Sequence, residues 1–305
     1  MIDEAFLKPE TRCDYFIDAK MKRIWMRELE ILEQIVRICE KFDIKYFLMG
    51  GSLLGAMRHK GFIPWDDDID LAMLRKDYER FQAIAAQELK PPFFFQSNMT
   101  DPYYRLGFAK VRNSNTAAIY DDEARAHTLA NCGLFVDIFP IDGVPDDKLK
   151  MLRLKLRGKL LRILDRRYVV YNRHSYSDRF WHWLGHFVGK VFGDERVAKF
   201  RDRTYSAGNI NKCHRCGLVS WGLSQKAFFW DSSIFKDERV MKVPFEHLML
   251  PVPVAYDECL TTSYGDWHKM VKGGSWHNAV HMDADRGYRD VLIEEYGYHE
   301  SDWRQ

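Results

Sequence analysis

The sequence predicts a mixed α/β fold, and three observations carry that prediction. Apolar residues recur at helical spacing over residues 20–43, short apolar runs of strand type alternate with further helical segments up to about residue 145, and a glycine turn at 50–52 joins one such run to a helix. In the opening segment Met21, Trp25, Leu29, Leu32, Val36, Cys39 and Phe42 fall at steps of three and four, the repeat of one buried helix face. Residues 44–50 (IKYFLMG) follow as an aromatic, branched strand; Gly50-Gly51-Ser52 breaks it, and LLGAMRH resumes helical spacing. A loop through Gly61 and Pro64 leads to Asp68-Ile69-Asp70-Leu71, where a period of two predicts a second strand with both acids on one face. Residues 76–89 form a predicted helix stopped by Pro91-Pro92. FFFQS (93–97), GFAKVR (107–112) and LFVDIF (134–139) supply the remaining strands.

The 305 residues allow two domains, or one with a large elaboration, and are enough to bury a full core. A net charge of +2 is too small to grip a nucleic-acid backbone, which excludes generic DNA or RNA binding. The 14% aromatic share excludes disordered and fibrous classes. The N-terminal residues carry acids and no apolar core of a secretory signal, and no window is apolar enough to span a bilayer. Six sparse cysteines fit a reducing compartment, so the expected location is cytoplasmic.

Three parts are expected: a core over 1–145, a basic helical insertion over 146–212, and a C-terminal portion over 213–305. In the insertion Lys148, Lys150, Arg153, Lys155, Arg157, Lys159, Arg162, Arg166, Arg167 and Arg173 are opposed only by Asp165. Leu149, Leu152, Leu156, Leu160, Leu161, Ile163 and Leu164 run between these cations, making a basic amphipathic helix. Either one side of it packs on the core with the cations solvated, or it docks on an anionic lipid surface, aided by the aromatic segment Phe180 to Phe192. Prolines, glycines and aromatics in the last third predict loops and short helices, and the acidic tail is expected to be peripheral.

The chemistry concentrates in Trp65-Asp66-Asp67-Asp68-Ile69-Asp70-Leu71. In extended backbone Asp66, Asp68 and Asp70 share one side and Asp67 faces the other, so three carboxylates occupy one small volume. Such crowding makes sense around a hard divalent ion, and oxygen donors point to magnesium or manganese; a solvated acidic loop is the alternative. Upstream, strand–Gly50-Gly51-Ser52–helix presents backbone N–H groups and a positive helix end to an anion such as phosphate. The two parts together describe the core of a nucleotidyltransferase-like mixed sheet with flanking helices. Asp137, alone in an apolar strand, is either a cap or a third-strand acid acting as ligand or general base.

The stretch MGGSLLGAMRHKGFIPWDDDIDLAM resembles the signature of the LicD family of phosphotransferases, and the likeness continues through Ala109 to Arg112, Asn115-Thr116, Phe135 to Gly143 and Tyr264-Gly265-Asp266-Trp267. The resemblance covers roughly 40–145 and 240–282. It implies metal-dependent transfer of a phospho-alcohol, typically phosphocholine from CDP-choline, to a hydroxyl of a cell-surface glycan precursor; fukutin-type relatives use CDP-ribitol. The acceptor would be a lipid-linked or soluble glycan, and the basic insertion would hold the protein in peripheral contact with the inner membrane leaflet. By this resemblance Asp66, Asp68 and Asp70 are the metal ligands, Asp137 is the third-strand carboxylate, and Gly50, Gly51 and Ser52 hold the diphosphate. Lys110 and Arg112 share a strand face suited to a phosphate or the CMP leaving group, or else form an exposed cationic edge. Arg58 and His59, at a helix end where the dipole favours cations in any case, are further substrate candidates.

One departure is Val271-Lys272-Gly273-Gly274, which stands where relatives are expected to carry a Pro-Pro pair. His277 and His281 have the spacing of a helical metal pair, yet the adjacent glycines argue for a loop. Cys213-His214-Arg215-Cys216 is either half of a structural zinc site or a pair of ordinary thiols. Trp65, Trp221, Trp230, Trp267 and Trp276 are available for a choline cage. Two rivals stand beside phospho-alcohol transfer: nucleotidyl transfer from a triphosphate, and an inert membrane-associated scaffold.

Overall fold

A computed structural model of the chain describes residues 4–125, 127–165, 176–223, 226–236, 239–273 and 280–303. A hairpin of β1 (Glu10–Arg12) and β2 (Tyr15–Ile17) precedes α1 (Ala19–Lys41), whose first turn is capped by Asp18 accepting from the Met21 N–H at 2.7 Å. The chain then runs through β3 (Phe47–Leu48), α2 (Gly50–His59), β4 (Ile69–Leu74), α3 (Arg75–Glu88), β5 (Phe93–Gln96), β6 (Ala109–Asn113), β7 (Ala117–Tyr120), α4 (Asp121–Arg125) and β8 (Leu134–Val144). Three helices follow, α5 (Lys148–Asp165), α6 (Tyr176–Phe192) and α7 (Asp194–Tyr205), then β9 (Arg215–Gly217), β10 (Phe229–Asp231) and α8 (Ser233–Lys236). The hairpin β11 (Val240–Phe245) and β12 (Leu248–Pro253), α9 (Tyr256–Tyr264), β13 (Val280–Asp283) and α10 (Tyr288–Tyr296) complete it.

The mixed α/β class is as expected. Seven strands form the main sheet in the order β10-β9-β8-β4-β3, with β6 also on β8 and β5 beyond β6; β4 and β8 are parallel and the other pairs antiparallel. Every residue of β8 is buried, which is why it reads as a continuous apolar run. It extends past the predicted end at 139 because tertiary partners replace what Pro140 and Gly143 remove: Arg75 holds Asp142 through two bonds of 2.8 and 2.5 Å, and Gly143 and Val144 pair with β9. Helix α1 is buried over a wider arc than the predicted stripe, adding Ile24, Ile31, Ile35 and Ile38, since it packs against both the sheet and α3. The strand expected over 44–50 shrinks to Phe47–Leu48.

Two expectations for the C-terminal third are corrected. FEHLMLPVP lies in the β11–β12 hairpin, whose Val243, Phe245, Leu250 and Val252 enter the main core. The tail, residues 293–305, is not peripheral: Tyr298 is buried with Ala117, Ile119, Val291 and Leu292 in a second small core, and Ile293, Tyr296 and Trp303 pack against it. In the insertion the packing face of α5 also differs from the predicted stripe. Leu154 meets Val144 and Val219, and Leu161 and Leu164 meet Val197, whereas Leu149, Leu152, Leu156 and Leu160 remain exposed. Arg166, Arg167 and Arg173 lie outside the described residues. Among the described residues no helix is long and apolar enough to cross a membrane.

Candidate active site

Sheet register brings the acids together. Asp70 on β4 stands opposite Asp137 on β8, and Asp137 stands opposite Lys110 on β6, so three charged side chains occupy neighbouring rungs of three adjacent strands. Asp137 accepts from Lys110 Nζ at 2.5 Å, with both residues buried. Burial pushes the Asp70 carboxyl well above the ordinary carboxylate range, and the charges of Asp68, Asp137 and Asp66 push it further, with Lys110 opposing. Burial likewise lowers the Lys110 ammonium against the pull of Asp137.

The glycine turn is built around Asp70. The Met49 N–H donates to the Asp70 carbonyl at 3.0 Å, and the Asp70 N–H donates to Ser52 Oγ at 2.8 Å. Gly50 has φ +58°, a left-handed backbone that favours glycine, and a Cβ there would stand 2.8 Å from Asp70 Oδ2. A Cβ on Gly51 would stand 2.6 Å from Asp66 Oδ2. The glycines are therefore needed for carboxylates to approach the start of α2. Asp66 is in turn held by α1, where Trp25 Nε1 donates to its carbonyl at 2.9 Å.

Asp66, Asp67 and Asp68 can each place one carboxylate oxygen within 4.8 Å of the others. Regular strand begins only at Ile69, so the strict alternation expected from Asp66 onward does not hold, and the group that closes to this distance contains Asp67 in place of the expected Asp70. Asp67 does not line the cavity, however, whereas Asp66, Asp68, Asp70 and Asp137 do.

That cavity, about 690 Å³, is also lined by Gly50, Gly51, Arg58 and Lys110. The C-terminal portion adds Trp221, Phe228, Tyr264, Asp266 and Trp267 to its lining. Trp221 lies between Phe139 and Phe228, with ring centroids 5.8 and 4.9 Å away. Of the five tryptophans singled out, Trp65, Trp221 and Trp267 line the cavity. Trp230 is core, its indole N–H donating to the Cys259 carbonyl and Ser263 Oγ at 3.2 Å, and Trp276 lies outside the described residues.

Several candidates are placed elsewhere. Ser52 is buried, accepts from Asp70 and does not line the cavity, so it positions β4. Arg112 is neither beside the cavity nor an exposed edge. It is buried between β5 and β8, donating to Gln96 Oε1 at 2.5 Å and to the Gly133 carbonyl at 2.6 Å. Arg112→Met is accordingly expected to cost about 2 kcal/mol of stability, the penalty of stranding buried acceptors. Turnover per folded molecule should stay near wild type, which denaturant titration and kinetics together will check. Arg58, by contrast, does line the cavity: it reaches from α2 to the Trp267 and Lys269 carbonyls at 3.2 and 3.3 Å and leaves a buried Nε without a partner. His59 does not line the cavity; its Nδ1 meets Cys13 Sγ at 3.7 Å.

His281 sits in β13, not on a helix, with Nδ1 3.4 Å from Glu295, and His277 lies outside the described residues. Cys213 and Cys216 are buried and join no metal-capable cluster of three among the described residues, while His214 contacts Asp146 at 3.0 Å.

Sequence analysis missed two acids: Asp266, which lines the cavity, and Glu28, which does not line it but lies among the charges of the acid cluster. Glu28 is 1% exposed on α1, its Oε2 has no hydrogen-bond partner, and burial, followed by the charges of Asp68, Asp67, Asp66 and Asp137, pushes its carboxyl well above the usual range. The available signal was a charge three residues after Trp25 and four before Leu32, on the apolar face of the helix.

Residues 43–155 match the family described as LicD/FKTN/FKRP, nucleotidyltransferase domain. Over 269 residues the chain is 31% identical to the lipopolysaccharide cholinephosphotransferase LicD of Haemophilus influenzae, an alignment covering 82% of this chain and 94% of that protein. The chain belongs to the LicD family. A shorter likeness, 39% over 59 residues, links it to human ribitol 5-phosphate transferase FKRP, covering 19% of this chain and 12% of that protein. The LicD-family match contains Gly50, Gly51, Lys110 and the cavity acids Asp66, Asp68, Asp70 and Asp137. The aromatic wall of Trp221, Phe228 and Tyr264 lies beyond it, as does Asp266.

Proposed function

We propose that this LicD-family chain transfers a phospho-alcohol, with phosphocholine from CDP-choline as the leading donor, to a hydroxyl of a cell-surface glycan precursor. The observation that carries this reading is one cavity lined by Asp66, Asp68, Asp70 and Asp137, by the glycine start of α2, and by the aromatics Trp221, Phe228 and Tyr264. The names borne by the H. influenzae and human relatives support the same class of reaction.

The donor set fits a divalent cation: carboxylate oxygens of Asp66 and Asp68 crowd together, the Asp70 charge is penalised by burial and by these neighbours, and glycines leave room for the carboxylates of Asp66 and Asp70. Asp66, Asp68 and Asp70 would hold magnesium or manganese, which when bound neutralises charge on the diphosphate. The N-terminus of α2 at Gly50 and Gly51 would orient the diphosphate through backbone N–H groups and the helix dipole. Lys110 fixes one oxygen of Asp137, and Asp137 would take the proton of the attacking hydroxyl. The acceptor oxygen forms a bond to the phosphorus that carries the alcohol; the bond from that phosphorus to the bridging oxygen breaks, and CMP leaves with the electron pair. Trp221, Phe228 and Tyr264, with Asp266 nearby, would receive a quaternary ammonium by cation–π attraction.

The test is CMP release from a panel of CDP-choline, CDP-ribitol and CDP-glycerol, with candidate lipid-linked and soluble glycans, in magnesium and in chelator. Release that needs both magnesium and glycan, and is fastest with CDP-choline, is the expected result. Pyrophosphate release from nucleoside triphosphates, with none of the CDP-alcohols consumed, would replace this reading with nucleotidyl transfer.

A further inference from the structure

Helix α5 carries two apolar faces, and only one is used by the fold. Leu154, Leu161 and Leu164 are buried, while Leu149, Leu152, Leu156 and Leu160 are 55%, 51%, 56% and 44% exposed. At 100° per residue these four form one stripe along the helix, with Arg153 and Arg157 on one flank and Lys148, Lys155 and Lys159 on the other. All five cations are exposed, and no acid occurs in the helix before Asp165, which pairs with Arg201.

Helix α6, packed against α5, repeats the pattern with aromatics. Tyr176, Phe180, Trp183, Phe187 and Val191 recur at steps of four and three and are all more than half exposed, and the Trp183 and Phe187 rings stack with centroids 5.8 Å apart. An isolated exposed leucine needs no explanation, but two continuous stripes on neighbouring helices do.

We infer that the exposed faces of α5 and α6 dock on an anionic bilayer surface, with the leucines and aromatics entering the headgroup boundary and the lysines and arginines pairing with lipid phosphates. Charge selects this occupant. A second copy of the chain would set the cations of one α5 against those of another, a repulsion with no exposed acid in the helix to relieve it. Neither helix is long and apolar enough to span the membrane, so the contact is interfacial. Trp and Tyr favour that depth, and Trp, Phe and Leu make the apolar face of helices that lie in it. The inference rests on the surface of the insertion alone and stands or falls independently of the reaction assigned to the cavity.

The experiment is flotation of the full-length protein with vesicles of phosphatidylcholine alone and of phosphatidylcholine with phosphatidylglycerol, at low and high salt, beside sedimentation velocity without lipid. Binding at least about tenfold stronger to the anionic vesicles, weakened by salt, is expected. Lys155→Glu with Lys159→Glu should lower that partition by about tenfold or more, since each cation near such a surface contributes about fivefold. Trp183→Ser with Phe187→Ser should lower it about tenfold or more on both compositions. These side chains are exposed, so circular dichroism and thermal melting should be unchanged, which keeps a loss of binding separate from a loss of fold. Equal binding to both vesicle types, no flotation at all, or a lipid-free dimer that the Trp183/Phe187 variant dissociates would overturn the proposal.

Discussion

Asp70→Asn is expected to lower turnover by about 10³-fold or more while raising the melting temperature of the metal-free protein. The activity loss follows because Asp70 stands at the junction of the acid cluster and the β8 carboxylate, where electrostatic stabilisation of a transferring phosphoryl group is worth about this much. The stability gain follows from the same crowding: burial and the charges of Asp68, Asp137 and Asp66 disfavour ionised Asp70. A carboxyl whose folded pKa lies above its unfolded value binds its proton more tightly in the folded state, so it destabilises the fold as pH rises. In chelator the wild type should therefore lose stability relative to Asp70→Asn as pH climbs from the ordinary value of 3.8 through the raised folded value, and the difference should then level off. Magnesium should raise the melting temperature of the wild type and leave the variant nearly unmoved. Equal metal-free stabilities across that pH range would show that the carboxylates are not crowded as described.

The second large effect is Gly51→Ala, expected to lower turnover about 10²-fold with the fold intact. The added Cβ would stand 2.6 Å from Asp66 Oδ2, the far end of a side chain that can swing away without disturbing backbone. Alanine also suits a helical position better than glycine, by about 1 kcal/mol. Stability should accordingly be unchanged or slightly higher, while a carboxylate displaced by about 1 Å carries the kinetic cost. Gly50→Ala makes the contrast, because φ +58° there strains any side chain and the fold itself should suffer. Melting curves beside steady-state kinetics for the two variants separate the cases, and a Gly51→Ala enzyme with wild-type turnover would remove Asp66 from the proposed ligand set.

Asp66, Asp68 and Asp70 were visible because acids among strand-type hydrophobics have no cheap solvated explanation, and all three line the cavity. Lys110 and Arg112 look equivalent in sequence, two cations separated by one residue, yet one reaches Asp137 and the other is consumed by Gln96 and the Gly133 carbonyl. Nothing local distinguishes them, since the distinction is made by what β5 and β8 place on either side. Glu28 was missed because a single acid inside a long amphipathic helix is ordinary until the helix is seen to back onto other acids.

Local order was set by the sequence itself: helical spacing from residue 20, the strand–glycine–helix passage, and an acid run entering a strand depend on backbone stereochemistry and side-chain periodicity, which act between near neighbours. The tertiary structure decided register and partners. It set Asp70 against Asp137 and Asp137 against Lys110, brought Tyr264 and Asp266 into the same cavity, and left one leucine stripe of α5 buried and the other bare. Those outcomes turn on which strand lies beside which and how much surface each helix finds to cover, and both depend on residues far apart in the chain.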